Sequence, residues 1–192
     1  YAKVPSDMDE HLVLAALDVA GAPAQVNKLV KEGDTVAIIG AAGKSGVLCA
    51  FQAMINAGKA GKVIGIVNEE KQIEQLHDLE LCHDVILADA TNAMDVYSKV
   101  NAKYPEGMDV TINVVNVQNT EMSCILITKD TGVVYFFSMA TSFTKAALGA
   151  EGVGSDVTMI IGNGYTKGHA DLTLNLVNNS PKIKSLFEKI YT

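Results

Sequence analysis

Thr35-Val36-Ala37-Ile38-Ile39-Gly40-Ala41-Ala42-Gly43-Lys44-Ser45-Gly46 decides the fold: a short apolar run of strand type passes straight into three glycines spaced three apart, and a helical pattern follows. Each glycine has a physical task at such a junction. Gly40 permits a tight turn, Gly43 lets backbone N–H groups approach a pyrophosphate with no Cβ in the way, and Gly46 lets the new helix pack closely on the strand. The spacing is G-x-x-G-x-x-G rather than G-x-G-x-x-G, but its position between a strand and a helix is the context a dinucleotide loop requires. Gly43-Lys44-Ser45 also ends like a triphosphate-binding loop. That reading fails, because G-x-x-x-x-G-K-[ST] needs a glycine where Ile38 stands.

Upstream, Ser6 or Asp7 is placed to cap a helix through about Val19, Pro23 suits the first turn of a second helix, and Gly33 is placed to stop it. Downstream, Val47, Leu48, Phe51, Met54 and Ile55 repeat at three and four, which predicts a helix burying one face, ended by Gly58. Further apolar runs predict strands at Val63 to Val67, Val85 to Ala88, Val110 to Val115, Val133 to Met139 and Val157 to Ile161. Thr91 or Asn92 is placed to cap a helix carrying Val96, Tyr97 and Val100, and Met122 to Ile127 forms another. Ser180-Pro181 opens a last one with Ile183, Leu186, Phe187 and Ile190 on one stripe. Six mostly continuous apolar strands separated by helices describe an α/β protein with a doubly wound parallel sheet, in the order 3-2-1-4-5-6. We expect residues 35–192 to form that dinucleotide-binding domain and residues 1–34 to be a helical lead-in. Tyr1 in place of Met and the linker-like Lys3-Val4-Pro5-Ser6-Asp7 predict a separate catalytic domain upstream.

Composition narrows the classes. A net charge of −7 without a Lys/Arg cluster argues against a nucleic-acid partner. No apolar run is long enough for a membrane span and no signal-peptide pattern is visible, so a soluble cytoplasmic protein is expected. Cys49, Cys82 and Cys124 are far apart and lie in or beside apolar runs, as buried thiols of a reducing compartment do. Cys82-His83 has no second pair at zinc spacing, so no metal is expected.

In a doubly wound sheet the ligand lies outside the carboxyl ends of the strands. The candidates there are the loop Gly40, Ala41, Ala42, Gly43, Lys44, Ser45 and Gly46, then Asn68, Glu69, Asp89, Val115, Asn116, Met139 and Ala140. Asn68-Glu69-Glu70 follows the second strand, where an acidic residue accepts hydrogen bonds from the ribose hydroxyls of NAD and repels the 2′-phosphate of NADP. NAD is therefore favoured, with NADP still open. Asn68 as a helix cap, with glutamates complementing the helix dipole, is the competing reading. Asp89 stands either near the adenine or as an ordinary strand-end residue. Val115-Asn116 with Gln118 and Asn119 offers amides to a carboxamide or a substrate, although an Asn-rich turn needs no ligand. In the Gly-rich stretch Gly162 to Asp171, His169 and Asp171 are acid–base candidates, set against a solvent-facing loop at a helix start.

Lys31-Glu32-Gly33-Asp34-Thr35-Val36 leading into the glycine loop resembles the cofactor half of the medium-chain dehydrogenases/reductases. Gly40 to Leu48 and Ile161 to Ala170 are similar, more narrowly, to the L-erythro-3,5-diaminohexanoate dehydrogenase family of lysine fermentation. The resemblance implies a Rossmann fold, a diamino acid substrate, and NAD(P)-linked oxidation at C3 giving 5-amino-3-oxohexanoate and ammonia. It also implies a homodimer, expected to pair through the edge strand Val157 to Ile161. Two other classes share the loop: a reductase of enones, quinones or alcohols, and a non-catalytic dinucleotide-binding module.

Overall fold

The computed structural model describes residues 2–162 and 164–191. In chain order the elements are α1 (Glu10–Asp18), α2 (Gly21–Leu29), β1 (Thr35–Ile39), α3 (Lys44–Ala57), β2 (Lys62–Val67), α4 (Glu70–Leu79), β3 (Asp84–Leu87), α5 (Ala93–Asn101) and β4 (Met108–Asn113). They continue with α6 (Glu121–Ile127), β5 (Thr128–Phe136), α7 (Phe143–Val153), β6 (Thr158–Ile161), α8 (His169–Asn179) and α9 (Pro181–Tyr191). The strands form one sheet in the order β3-β2-β1-β4-β5-β6, every pair parallel. The order expected from the sequence is the one found.

Alternation along β1 shows how the sheet is covered. Val36 and Ile38 join a core with residues of α2, α3, α4 and α8, while Ala37 and Ile39 join the opposite core with residues of α5, α6 and α7. Both faces being buried explains the continuous apolar runs, since neither side of a strand meets water. The first helices share this core: Leu12, Val13 and Ala16 of α1 are buried with Val36 and Ile38, and α1 packs on α8 and α9. Complete burial of a side chain such as Leu12 contributes about 2 kcal/mol.

Several boundaries differ from the sequence reading. Asp9, not Ser6 or Asp7, caps α1; its Oδ1 accepts from the N–H of His11 at 2.8 Å and of Leu12 at 3.4 Å. Gly33 does not end α2, which stops at Leu29. With φ 89° it forms the turn into β1 and donates its N–H to Ala57 O at 2.9 Å. The fifth strand runs from Thr128 to Phe136 rather than Val133 to Met139. It leaves α6 with no loop and bulges after Thr128, so that Met108 pairs with Thr128 but Val110 with Val133. Helix α7 has no counterpart in the sequence reading, and α8 is anticipated there only as a helix start near His169. The caps at Gly58, Asn92 and Ser180 are in place.

Candidate functional site

The turn after β1 is built by its glycines. Gly40 has φ 88°, and a Cβ there would collide with Cγ1 of Val115 from the β4 end. Gly46 lies against the Gly40 carbonyl and 2.6 Å, measured from an added Cβ, from Ala41 C and O, so α3 is drawn tightly under the turn. Gly43 is different: an added Cβ would meet only Gly40 O, at 3.5 Å, so this glycine faces open space. It is also the N-cap of α3 and supplies no side-chain cap, which leaves first-turn N–H groups for an external acceptor.

That turn opens on a cleft of about 420 Å³ along the carboxyl ends of four strands. Gly40, Ala42 and Gly43 form its middle; Asn68, Gln72, Asp89 and Thr91 one end; Val114, Val115, Asn116 and Val117 the other. The cleft therefore straddles β1, where the strand order reverses.

Of the residues selected from the sequence, Gly40, Ala42, Gly43, Asn68, Asp89, Val115 and Asn116 line this cleft. Ala41 and Gly46 are buried beneath the turn. Lys44 faces away: its Nζ pairs with Asp18 Oδ2 at 2.5 Å and lies 5.4 Å from the centre of the Tyr191 ring. Ser45 follows it in α3, outside the lining. Glu69 rather than Asn68 caps α4, in a reciprocal capping box with Gln72, and its Oε2 pairs with Lys71 Nζ at 2.6 Å. Met139 is 91% exposed in the loop after β5, where Ala140 N–H bonds to Ser138 Oγ at 3.1 Å; neither lines the cleft. His169 begins α8, its Nδ1 2.8 Å from Thr166 O and its ring against Tyr165, and Asp171 sits in the same first turn. Both lie outside the cleft lining. Asn163, within the same Gly-rich stretch, lies outside the described residues.

Asp89 closes the β3 end as a turn. Its Oδ1 accepts from the Thr91 N–H at 2.9 Å and the Thr91 hydroxyl at 2.8 Å, which hold its carboxyl below the usual carboxylate range. The cysteines are electrically quiet: burial raises the Cys49 and Cys124 thiols, and burial followed by the charge of Asp84 pushes Cys82 up to about 12. Among the described residues no three His, Cys, Asp or Glu side chains converge as a metal site, and no helix is long and apolar enough to cross a membrane.

Sequence reasoning missed Gln72, whose Oε1 accepts the Asn68 and Glu69 N–H groups at 3.2 and 3.3 Å, although the capping-box spacing from Glu69 was there to find it. It also missed Asn113, Thr120 and Glu121, each under 3% exposed. For Asn113 the available signal was an amide ending an apolar strand.

No protein-family model matches the chain. In fold it is similar to AibC, with TM-score 0.73 and 18% identity over 93% of this chain and 53% of that one. It is also similar to mycobacterial Rv1454c complexed with NADPH, with TM-score 0.67 and 19% identity over 98% and 56%. In sequence it is 56% identical, over its whole length, to L-erythro-3,5-diaminohexanoate dehydrogenase of Acetoanaerobium sticklandii, and 55% identical to that of Fusobacterium nucleatum subsp. nucleatum. The chain spans about half, 56%, of the length of each of these curated relatives. It is thus a Rossmann-type α/β chain and, from end to end, a relative of the L-erythro-3,5-diaminohexanoate dehydrogenases.

Proposed function

We propose that this chain is the cofactor-binding part of an NAD(P)-dependent L-erythro-3,5-diaminohexanoate dehydrogenase. The observation that carries the proposal is the uncapped, open Gly43 turn at the centre of a cleft crossing the sheet's switch point, in a chain 56% identical to such enzymes. Gly40 to Gly43 and the first turn of α3 would receive a pyrophosphate. Asn68, Asp89 and Thr91 would border the adenosine half, and Val115 and Asn116 the nicotinamide half. Of the remaining sequence candidates, Ala41 and Gly46 pack beneath the turn, and Lys44 and Ser45 lie outside the cleft lining. Asp89 lines the β3 end of the cleft, and its carboxylate there disfavours a 2′-phosphate, so NAD is the better fit, while Glu69 is engaged as the cap of α4 and by Lys71.

Bound NAD supplies the hydride acceptor for oxidation at C3 of the diamino acid; water then hydrolyses the iminium to 5-amino-3-oxohexanoate and ammonia. The chain's own contribution is to hold that acceptor between the glycine turn and the β4 wall. Acid–base groups belong, in this reading, to a catalytic domain preceding the lead-in of residues 1–34, and His169 and Asp171 take no part. Cytoplasmic lysine fermentation by a homodimer completes this reading; the buried free thiols of Cys49 and Cys124 suit a reducing compartment.

The Gly43→Val variant tests the proposal. Gly43 has φ −76° and no protein atom within 3.4 Å of an added Cβ, so the variant folds while its side chain occupies the space a pyrophosphate needs. Titration with NADH is expected to show at least about a tenfold loss of affinity. Equal affinity in a folded variant overturns the assignment.

A further inference from the structure

The β4 end of the cleft is held by a polar chain that does not itself reach the cleft. Asn113 is the last residue of β4 and fully buried among apolar neighbours. Its side-chain amide is used at both ends. Oδ1 accepts the Val115 N–H at 3.2 Å, and Nδ2 donates to Thr120 Oγ1 at 2.7 Å. Thr120, 1% exposed, turns its own hydroxyl proton toward Val117 O at 3.5 Å. One buried amide and one buried hydroxyl thus fix the N–H of Val115 and address the carbonyl of Val117, the residues on either side of Asn116. A buried amide is costly unless paired, so the pairing has one geometry and the wall inherits it.

The position of that wall matters because nothing separates it from the phosphate turn. Val115 Cγ1 fills the place where a Cβ of Gly40 would be, so a shift of Val115 alters the cleft beside the turn. With a pyrophosphate on Gly40 to Gly43, the ribose-recognising β2 end takes the adenosine half and the β4 end the other half.

We infer that Asn113 and Thr120 are positioning residues for the nicotinamide half of the cofactor, acting through the backbone of Val115 to Val117 without touching the ligand. The inference rests on the dinucleotide reading of the cleft. It predicts a split that a merely structural role does not produce: losing the chain weakens binding of the whole dinucleotide and spares binding of its ADP-ribose portion.

The test measures dissociation constants of NADH and of ADP-ribose for the 192-residue chain and for Thr120→Val, Thr120→Ser and Asn113→Leu, with circular dichroism as the folding control. Thr120→Val keeps the side-chain shape, removes the hydroxyl and remains informative where Asn113→Leu does not fold. Expected is about a tenfold loss of NADH affinity in Thr120→Val with ADP-ribose within about twofold of the parent, and recovery in Thr120→Ser, which keeps the hydroxyl. Equal losses for both ligands, unchanged NADH binding, or no recovery with serine overturn the positioning role. Failure of the parent chain to bind either ligand overturns the dinucleotide reading itself, and the inference with it.

Discussion

Two glycines in helices show how one residue type carries opposite information. Gly46 is compressed against backbone: a Cβ would meet Ala41 C and O at 2.6 Å and the Gly40 carbonyl closer still, none of which is free to move. Gly152, in the last turn of α7, has nothing within 4 Å. Gly46→Ala is therefore expected to destabilise the chain by about 1–3 kcal/mol through overpacking. Gly152→Ala is expected to stabilise it by about 0.5 kcal/mol, because alanine loses less backbone entropy in a helix. Urea titrations of both variants check the pair; equal midpoints would show that the close approach at Gly46 does not govern packing. The spacing of Gly40, Gly43 and Gly46 was legible in the sequence because steric need at a strand-to-helix turn is local. The partnership of Asn113 with Thr120 was not, since it depends on where a loop returns, and no periodicity records that.

Among the elements, the start of β3 depends on a side chain that imitates backbone. His83 donates its N–H to Val63 O at 2.8 Å, and its Nδ1 accepts the Val63 N–H at 3.0 Å, extending the β2–β3 pairing one step beyond Asp84. Accepting at Nδ1 requires the neutral ring. Partial desolvation first, then the nearby Lys62 charge, lower its pKa from 6.5. The folded state thus binds fewer protons than the unfolded state in that range. Its contribution is complete above pH 6.5 and is lost as pH falls through the lowered folded value. Stability measured by denaturant between pH 8 and 5 is expected to fall less in His83→Asn, whose amide oxygen accepts without titrating; parallel curves for the two proteins would remove His83 as the cause. The same scale shows why some elements escaped sequence reading. In α8, Leu172-Thr173-Leu174-Asn175-Leu176 alternates like a strand, yet Thr173, Leu174, Leu176 and Val177 form its buried helical face. In α7, Gly149 and Gly152 depress helix propensity, and the buried stripe consists only of Ala146 and Ala150.

At the scale of the molecule, the sheet has two edges treated differently. Along β3, Lys99 Nζ bonds to Leu87 O at 2.9 Å and Lys103 pairs with Asp84 at 2.7 Å, so lysines stand over both ends of that strand. Such cover discourages pairing with another chain. The β6 edge, Thr158-Met159-Ile160-Ile161, contains neither lysine nor proline, and its three apolar residues are only half-buried. We propose that two copies meet there about a two-fold axis, joining their sheets edge to edge; because the same patch faces itself, the contact closes at two copies rather than growing into a fibre. Thr158, exposed on this strand, is the place to transfer the device seen on β3. Thr158→Lys is expected to weaken association by at least about tenfold while leaving the fold intact, since each copy then carries on its edge strand a lysine that discourages pairing with another chain. Light scattering over a dilution series reads the outcome. A parent chain that stays monomeric at every concentration, or a Thr158→Lys variant that dimerises like the parent, would place any assembly surface elsewhere on the molecule.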